Sequence, residues 1–309
     1  MGACAVVQIE RVAGVDMIVG ESPIWDGRTQ SLWFIDIEGR SVHRLGPGDV
    51  LDTWQVPIQP GAVATMSDGR VAVALHDGFR VLDPETGALG PLTPGGISDV
   101  ERISEGKADR QGRLLAGSRD HVLKASSGRL LRLESDGSTT TLRRDIIVSN
   151  GICLSIDGST IFFSDSFTGR VYAADYGDEG LAHEREIYST AGEIFFPDGA
   201  TVDAEGFVWI ALLHTPEVIR LAPDGTLVDR IEMPSPYLTS LAFGGPNLDE
   251  LYVTSLNPAR FPDGTPAQAP DFPGAEGGFL YRVTGLGVRG VAEAPVAPWV
   301  TADAVAAAE

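Results

Sequence analysis

Cysteine is nearly absent from this chain: Cys4 and Cys153 are the only two in 309 residues. Two thiols do not build the multi-bridge framework of a small secreted domain, so a reduced, cytoplasmic setting is the expectation. Positive charge is scarce too, with 23 Lys and Arg against 43 Asp and Glu and a formal charge of −20. Without a basic footprint, nucleic acid is not an expected partner. An acidic field draws cations and repels polyanions, although much of it serves simply as a solubilising surface. No stretch approaches the roughly 18 apolar residues of a spanning helix, so no membrane partner is expected either. The opening "MGACAVVQIERVAGV" lacks a basic n-region, and its apolar run is too short for a secretion signal. Convincing long amphipathic helices are missing. So are a Gly-rich phosphate loop and a Gly-x-Ser-x-Gly elbow, which leaves nucleotide-dependent and serine-hydrolase chemistry without support.

What is present is turn chemistry. Gly 37 and Pro 20 suit a chain of many short strands. One frame recurs: a short apolar strand, a turn with Asp or Gly, then a second strand. Its six copies are "SPIWDGRTQSLWFID", "AVATMSDGRVAVAL", "GKADRQGRLLAG", "GICLSIDGSTIFFSD", "GATVDAEGFVWIA" and "SLAFGGPNLDELYVTS". Their second strands begin near Ser31, Arg70, Arg113, Thr160, Phe207 and Glu250, at steps of 39, 43, 47, 47 and 43 residues. That period fits four short strands per repeat. Third strands follow, such as "SVHRL", "GRVYAAD" and "EVIRLA". The reading is an all-β, six-bladed β-propeller with four-stranded blades, a single domain over 1–309 with a short tail at about 300–309. The N-terminal strand "ACAVVQIE" has no partner in its own repeat and is expected to close the ring on the last blade. A sandwich or a pair of smaller β domains has less support, because no linker interrupts the repeat.

In a propeller the first strand of each blade lines the central channel, so residues just before those strands gather at one mouth. That position holds Glu21, Glu105, Asn150 and Asp198. The offset from Asn150 to Gly158 equals that from Asp198 to Gly206, eight residues in each case. Taken singly, Asn-Gly and Asp-Gly are turn dipeptides, and Asn150-Gly151 is a strong hairpin signal. Recurrence at one blade position points instead to carboxylate and amide oxygens around one axis. Such a set is mutually repulsive without a cation and suits Ca, Mg or Mn, with Zn or Fe also compatible.

These residues also carry a resemblance. "GESPIWDGRTQSLWFIDIEGRSVHRL", "SNGICLSIDGSTIFFSDS" and "FPDGATVDAEGFVWIA" resemble, in order and across nearly the whole chain, the motifs of the senescence-marker-protein/gluconolactonase/regucalcin family. The resemblance implies a six-bladed propeller with one divalent metal and, for many members, hydrolysis of sugar lactones. It maps the family's metal ligands onto Glu21, Asn150 and Asp198, with Asp198 doubling as catalytic base. The family's Arg-x-Asn-Asp-Gly is here "RISEG", which keeps Arg102 as an anchor but puts Ser104 and Glu105 where Asn and Asp are usual. Substrate contact is therefore expected from Arg102, Ser104, Glu105 and His214. The loop after "LLAGS" is expected to bring Arg119, Asp120 and His121 toward the same mouth.

The expected activity is metal-assisted opening of a sugar-derived lactone, the small-molecule partner, by a monomer or weak homo-oligomer. Two alternatives stand beside it. One is a non-hydrolytic metal enzyme on the same scaffold, as in strictosidine-synthase-like propellers; the other is a calcium- or ligand-binding protein without turnover. His43, His76 and His183 lack partners at ligand spacing and read as surface or packing residues. Cys153 reads as a buried, inert thiol, and Trp25, Trp33, Trp54 and Trp209 as fillers between blades.

Overall fold

The structure is a computed structural model that describes residues 6–261, 272 and 274–300. The predicted tail over 301–309 lies outside the described residues. Six antiparallel sheets succeed one another along the chain. Their innermost strands are Gly20–Asp26, Pro60–Thr65, Glu101–Ala108, Ser149–Leu154, Phe196–Val202 and Leu238–Gly244, in blades I to VI. Each inner strand packs beside the inner strands of its two neighbours, the sixth returning to the first, which makes a closed six-bladed propeller.

The repeat is written in its turns. After each inner strand of blades III, IV and V, an Asp carboxylate accepts backbone N–H groups two residues on. Asp109 takes Gln111 N at 2.9 Å, Asp157 takes Ser159 N at 3.1 Å, and Asp203 takes Glu205 N at 2.9 Å. Asp26 and Asp68 do the same in blades I and II. These Asx turns reverse the chain into the second strands of blades I to V, at Ser31, Val71, Leu114, Thr160 and Val208; with Glu250 in blade VI, all six begin within one residue of the repeat reading.

The strands after the turn are buried on both faces, as in Ser31–Asp36, because blades stack on either side. The core is accordingly divided between blades. Cys153, Phe162, Ala200 and Ile210 fill the gap between IV and V; Trp209, Leu241, Phe243 and Val253 fill that between V and VI. Each of the larger side chains, such as Phe162, Ile210, Leu241 and Val253, contributes about 1.5–3 kcal/mol by leaving water. Outer strands face solvent and alternate poorly, as in Leu227–Glu232. In blade II the outer strand shrinks to two isolated bridges, Phe79 to Thr93 and Leu82 to Leu89.

The ring closes as the unpaired N-terminal strand predicts. Gln8–Arg11 pairs with Leu280–Thr284 and supplies the outer strand of blade VI. A second fastening comes from the other terminus. Residues 289–300 run across the face opposite the channel mouth and bond to blade V (Ala204 N to Arg289 O, 2.8 Å), blade III (Ala297 N to Gly112 O, 2.7 Å) and blade II (Val296 N to Thr65 O, 2.8 Å).

Candidate metal centre

All six inner strands carry a register shift near the mouth. It falls between Glu21 and Ile24, Pro60 and Ala62, Asn150 and Cys153, Pro197 and Ala200, and Leu238 and Leu241; in blade III it lies at Ser104, opposite Gly117/Ser118. A bulge re-aims the side chains around it and strengthens local twist. Glu21, Asn150 and Asp198 all sit at this irregularity, already inside the inner strands rather than just ahead of them as the repeat reading places them. Gly151 shows why small residues accompany the bulge. Its φ is 63°, and a Cβ there would stand 2.9 Å from Ser164 Oγ and 3.1 Å from the Asp198 carbonyl. Asn150-Gly151 is thus a bulge that lets blades IV and V approach, not a hairpin turn.

Two of the three predicted ligands touch, and the third feels the charge of Asp198. Asn150 Nδ2 donates to Asp198 Oδ1 at 2.6 Å and to Ser166 Oγ at 3.1 Å, and its amide oxygen has no donor among the described residues. Glu21 and Asp198 are both buried, at 6% exposure each, and Glu105 is buried at 3%. Burial holds the Glu21 carboxyl well above the usual range, and the charges of Asp198 and then Glu105 push it further. Asp198 is raised by burial and by Glu105. Glu105 is pushed up to about 8, chiefly by burial, against the opposing effects of the Ile152 N–H and Lys107.

Three acids crowded without a partner cation are costly, since like charges in low dielectric cannot all ionise. The nearest cation, Lys107, is already committed: its Nζ lies 3.1 Å from Glu293 Oε1 and donates to Ala200 O at 3.0 Å. Among the described residues no three His, Cys, Asp or Glu side chains are grouped at metal-ligand spacing. The donor set is a mixed one, with two carboxylates and one amide, while Glu105 Oε2 accepts from Ile152 N at 2.8 Å. Buried oxygens, excess negative charge and a free amide oxygen together fit a hard divalent cation.

The remaining predicted residues divide. Ser104, at the blade III bulge, donates to Ser149 O at 2.9 Å and Gly117 O at 3.3 Å. Its hydroxyl ties blades III and IV together and offers a substrate only its lone pairs. Arg102 is half-buried three residues up the same strand from Glu105. His214 closes the end of the second strand of blade V, edge-on to Phe196 at 5.7 Å, with Nδ1 buried and unpartnered. Asp120 does not face the mouth as an acid. Its carboxylate folds its own loop, accepting from Lys124 N at 2.9 Å and Ser127 Oγ at 2.8 Å. Arg119 stands on the strand Leu114–Asp120 and not in a loop.

Sequence reasoning missed Ser240, whose hydroxyl bonds to Glu21, and Ser166, which holds Asn150. Ser240 was accessible from the repeat, being the bulge residue of the sixth copy. Ser166 and Glu293 had no signal of that kind. Cys153 is buried beside Lys107, and burial pushes its thiol up. His43 is wedged between Ser41 and Thr53 and stacks on Phe34, a packing role as predicted.

Residues 19–257 match the model of the SMP-30/Gluconolactonase/LRE-like region. The chain belongs to this family. Among its relatives, the chain is 31% identical to regucalcin of Xenopus laevis over 93% of its own length and 97% of the relative's. It is 33% identical to a 6-deoxy-6-sulfogluconolactonase of Pseudomonas putida, over 79% and 85%. A solved regucalcin from Agrobacterium tumefaciens strain C58, described as a calcium-binding protein, superposes with a TM-score of 0.79 at 25% identity. That match covers 94% of this chain and 97% of the other.

Proposed function

We propose that this chain is a lactonase that opens a sugar-derived lactone to its hydroxy acid with one divalent cation held by Glu21, Asn150 and Asp198. The observation that carries the reading is the buried, cation-deficient oxygen set, with Asn150 and Asp198 in contact and the charges of Asp198 and Glu105 acting on Glu21. Family membership and the lactonase relative favour lactone hydrolysis over other uses of the scaffold.

A cation bound there supplies a Lewis acid for the lactone carbonyl and charge to stabilise the oxyanion that develops. The chain's own groups do the rest. Asp198 takes the proton of the attacking water, and Asn150 Nδ2 together with the Gly199 N–H steadies its carboxylate. Glu105, whose carboxyl stays protonated to about pH 8 in the absence of a cation, donates or accepts a hydrogen bond at a ring hydroxyl. Arg102 on blade III and His214 on blade V, with blade IV between them, limit how the ring can lie. Water attacks the carbonyl carbon, the ring C–O bond breaks, and the ring oxygen leaves as a hydroxyl after receiving a proton.

The test is acid release in a pH-stat over a panel of aldonolactones, with protein stripped by chelator and then given Ca, Mg, Mn or Zn. Cation-dependent release from at least one lactone is expected. Cation binding with no release from any of them would assign the chain to ligand binding without turnover.

A further inference from the structure

Arg102 and Arg119 face each other directly across the first two strands of blade III. Like charges directly opposite in an antiparallel pair are destabilising, so this arrangement calls for an explanation. Many other arginines on the strands are matched to acids, as Arg44 is to Asp52, Arg129 to Glu101 and Arg220 to Asp203. Among the described residues neither Arg102 nor Arg119 has a carboxylate within ion-pair distance. The acids next to them in sequence are committed. Glu101 is taken by Arg129, Ser98 and Ser118, and Asp120 by its own loop.

Each guanidinium is instead anchored through one nitrogen to backbone carbonyls. Arg102 Nη1 donates to Glu101 O at 2.6 Å and Asp99 O at 3.1 Å; Arg119 Nη1 donates to Asp120 O and His121 O, both at 3.3 Å. A guanidinium has five donors, so most of each fork stays available. His76, from the top of blade II, feels the pair: burial first, then Arg119, Arg102 and His121, hold its ring down at about 3. Burial and Arg102 push the Arg119 guanidinium down, while Glu38 of blade I and Asp120 act on it by charge without forming an ion pair. The mouth of a strongly acidic protein thus holds a local positive site with unfilled donors.

We propose that Arg102 and Arg119 form an oxyanion subsite, so that the lactone opened here carries a carboxylate, sulfonate or phosphate at the end remote from its carbonyl. This rests on the lactonase reading for its substrate, while the subsite itself rests on the arginine pair. Two forked guanidiniums fit an oxyanion far better than a neutral hydroxymethyl group.

The experiment compares kcat/KM for gluconolactone, whose terminal group is neutral, with glucarolactone and 6-phosphogluconolactone, in wild type, Arg119→Met and Arg119→Lys. Binding of gluconate and of glucarate is measured calorimetrically on the same three proteins. The subsite predicts a preference for the charged lactones of about tenfold or more, expressed mainly in KM. Arg119→Met should erase that preference and Arg119→Lys should keep part of it. Equal kcat/KM for neutral and charged lactones in wild type, or a preference that survives Arg119→Met, would overturn the subsite. Should no lactone turn over, the lactonase reading fails. The calorimetry then decides the subsite alone: glucarate bound more tightly than gluconate only while Arg119 is present supports it, and equal binding removes it.

Discussion

Asp198 is the residue on which the proposed chemistry converges. It is buried, raised by its own desolvation and by Glu105, and held by the Asn150 amide at 2.6 Å. Replacing it with Asn keeps shape and most hydrogen bonds but removes the proposed base and one proposed anionic ligand. Asp198→Asn should therefore lower kcat for lactone opening by about 10²–10⁴, the usual worth of a positioned base, with the circular dichroism of the fold unchanged. A second residue-scale prediction concerns His43, whose burial beside Phe34 holds its pKa at about 4. Its folded value lies below its ordinary one near 6.5, so the unfolded chain binds the extra proton first as pH falls. The neutral ring's contribution is intact above pH 6.5 and is lost as pH falls toward 4, at no more than about 1.4 kcal/mol per unit. Urea unfolding at pH 7 and pH 5 should show a smaller drop for His43→Gln than for wild type. An equal drop in the two proteins would assign the acid sensitivity to other groups.

At the scale of elements, the inner strand with its bulge is the unit that makes the site. Its recurrence in every blade explains why residues so far apart in sequence share one function. The Asx turns that end these strands were legible in the sequence, because Asp and Gly at fixed offsets have a local physical cause. The bulges were not, since one extra residue inside an apolar run leaves the composition unchanged. This is why Asn150-Gly151 reads as a turn and folds as a bulge. Ser104 shows the converse: a polar residue at the right offset whose hydroxyl is spent on the wall between blades. The C-terminal segment is another element that the repeat does not announce. It sets Glu293 against Lys107, both largely buried, in a pair that crosses the channel to Ala200. Removing one member of a buried pair leaves the other uncompensated. Glu293→Gln should cost about 3–5 kcal/mol in urea unfolding, whereas an exposed pair such as Arg170 with Glu186 should cost about 1 kcal/mol or less.

For the whole molecule, closure is the property that turns six small sheets into one stable body. Each blade alone would leave both faces exposed; in the ring four gaps between blades are each filled by an apolar cluster of their own, and one larger cluster fills the gaps on both sides of blade II. The ring depends on four residue pairs, Gln8 with Thr284 through Arg11 with Tyr281. A chain truncated through Arg11 should melt at a lower temperature and self-associate in light scattering, because the strand Leu280–Thr284 becomes an unpaired edge. Six-fold repetition was legible from the spacing of the turns, and with it the gathering of Glu21, Asn150 and Asp198 at one mouth. Which side chains neutralise one another there was not, because pairs such as Lys107–Glu293 depend on the closed ring. The central claim is that these three residues hold the cation that lactone opening requires. It is tested most directly by titrating chelator-stripped protein with a divalent cation while recording acid release. The account predicts no release at the start, a rise to a plateau at one cation per chain, and no rise in Glu21→Gln/Asp198→Asn. Full turnover by the stripped protein, or an undiminished plateau in the double variant, would contradict it.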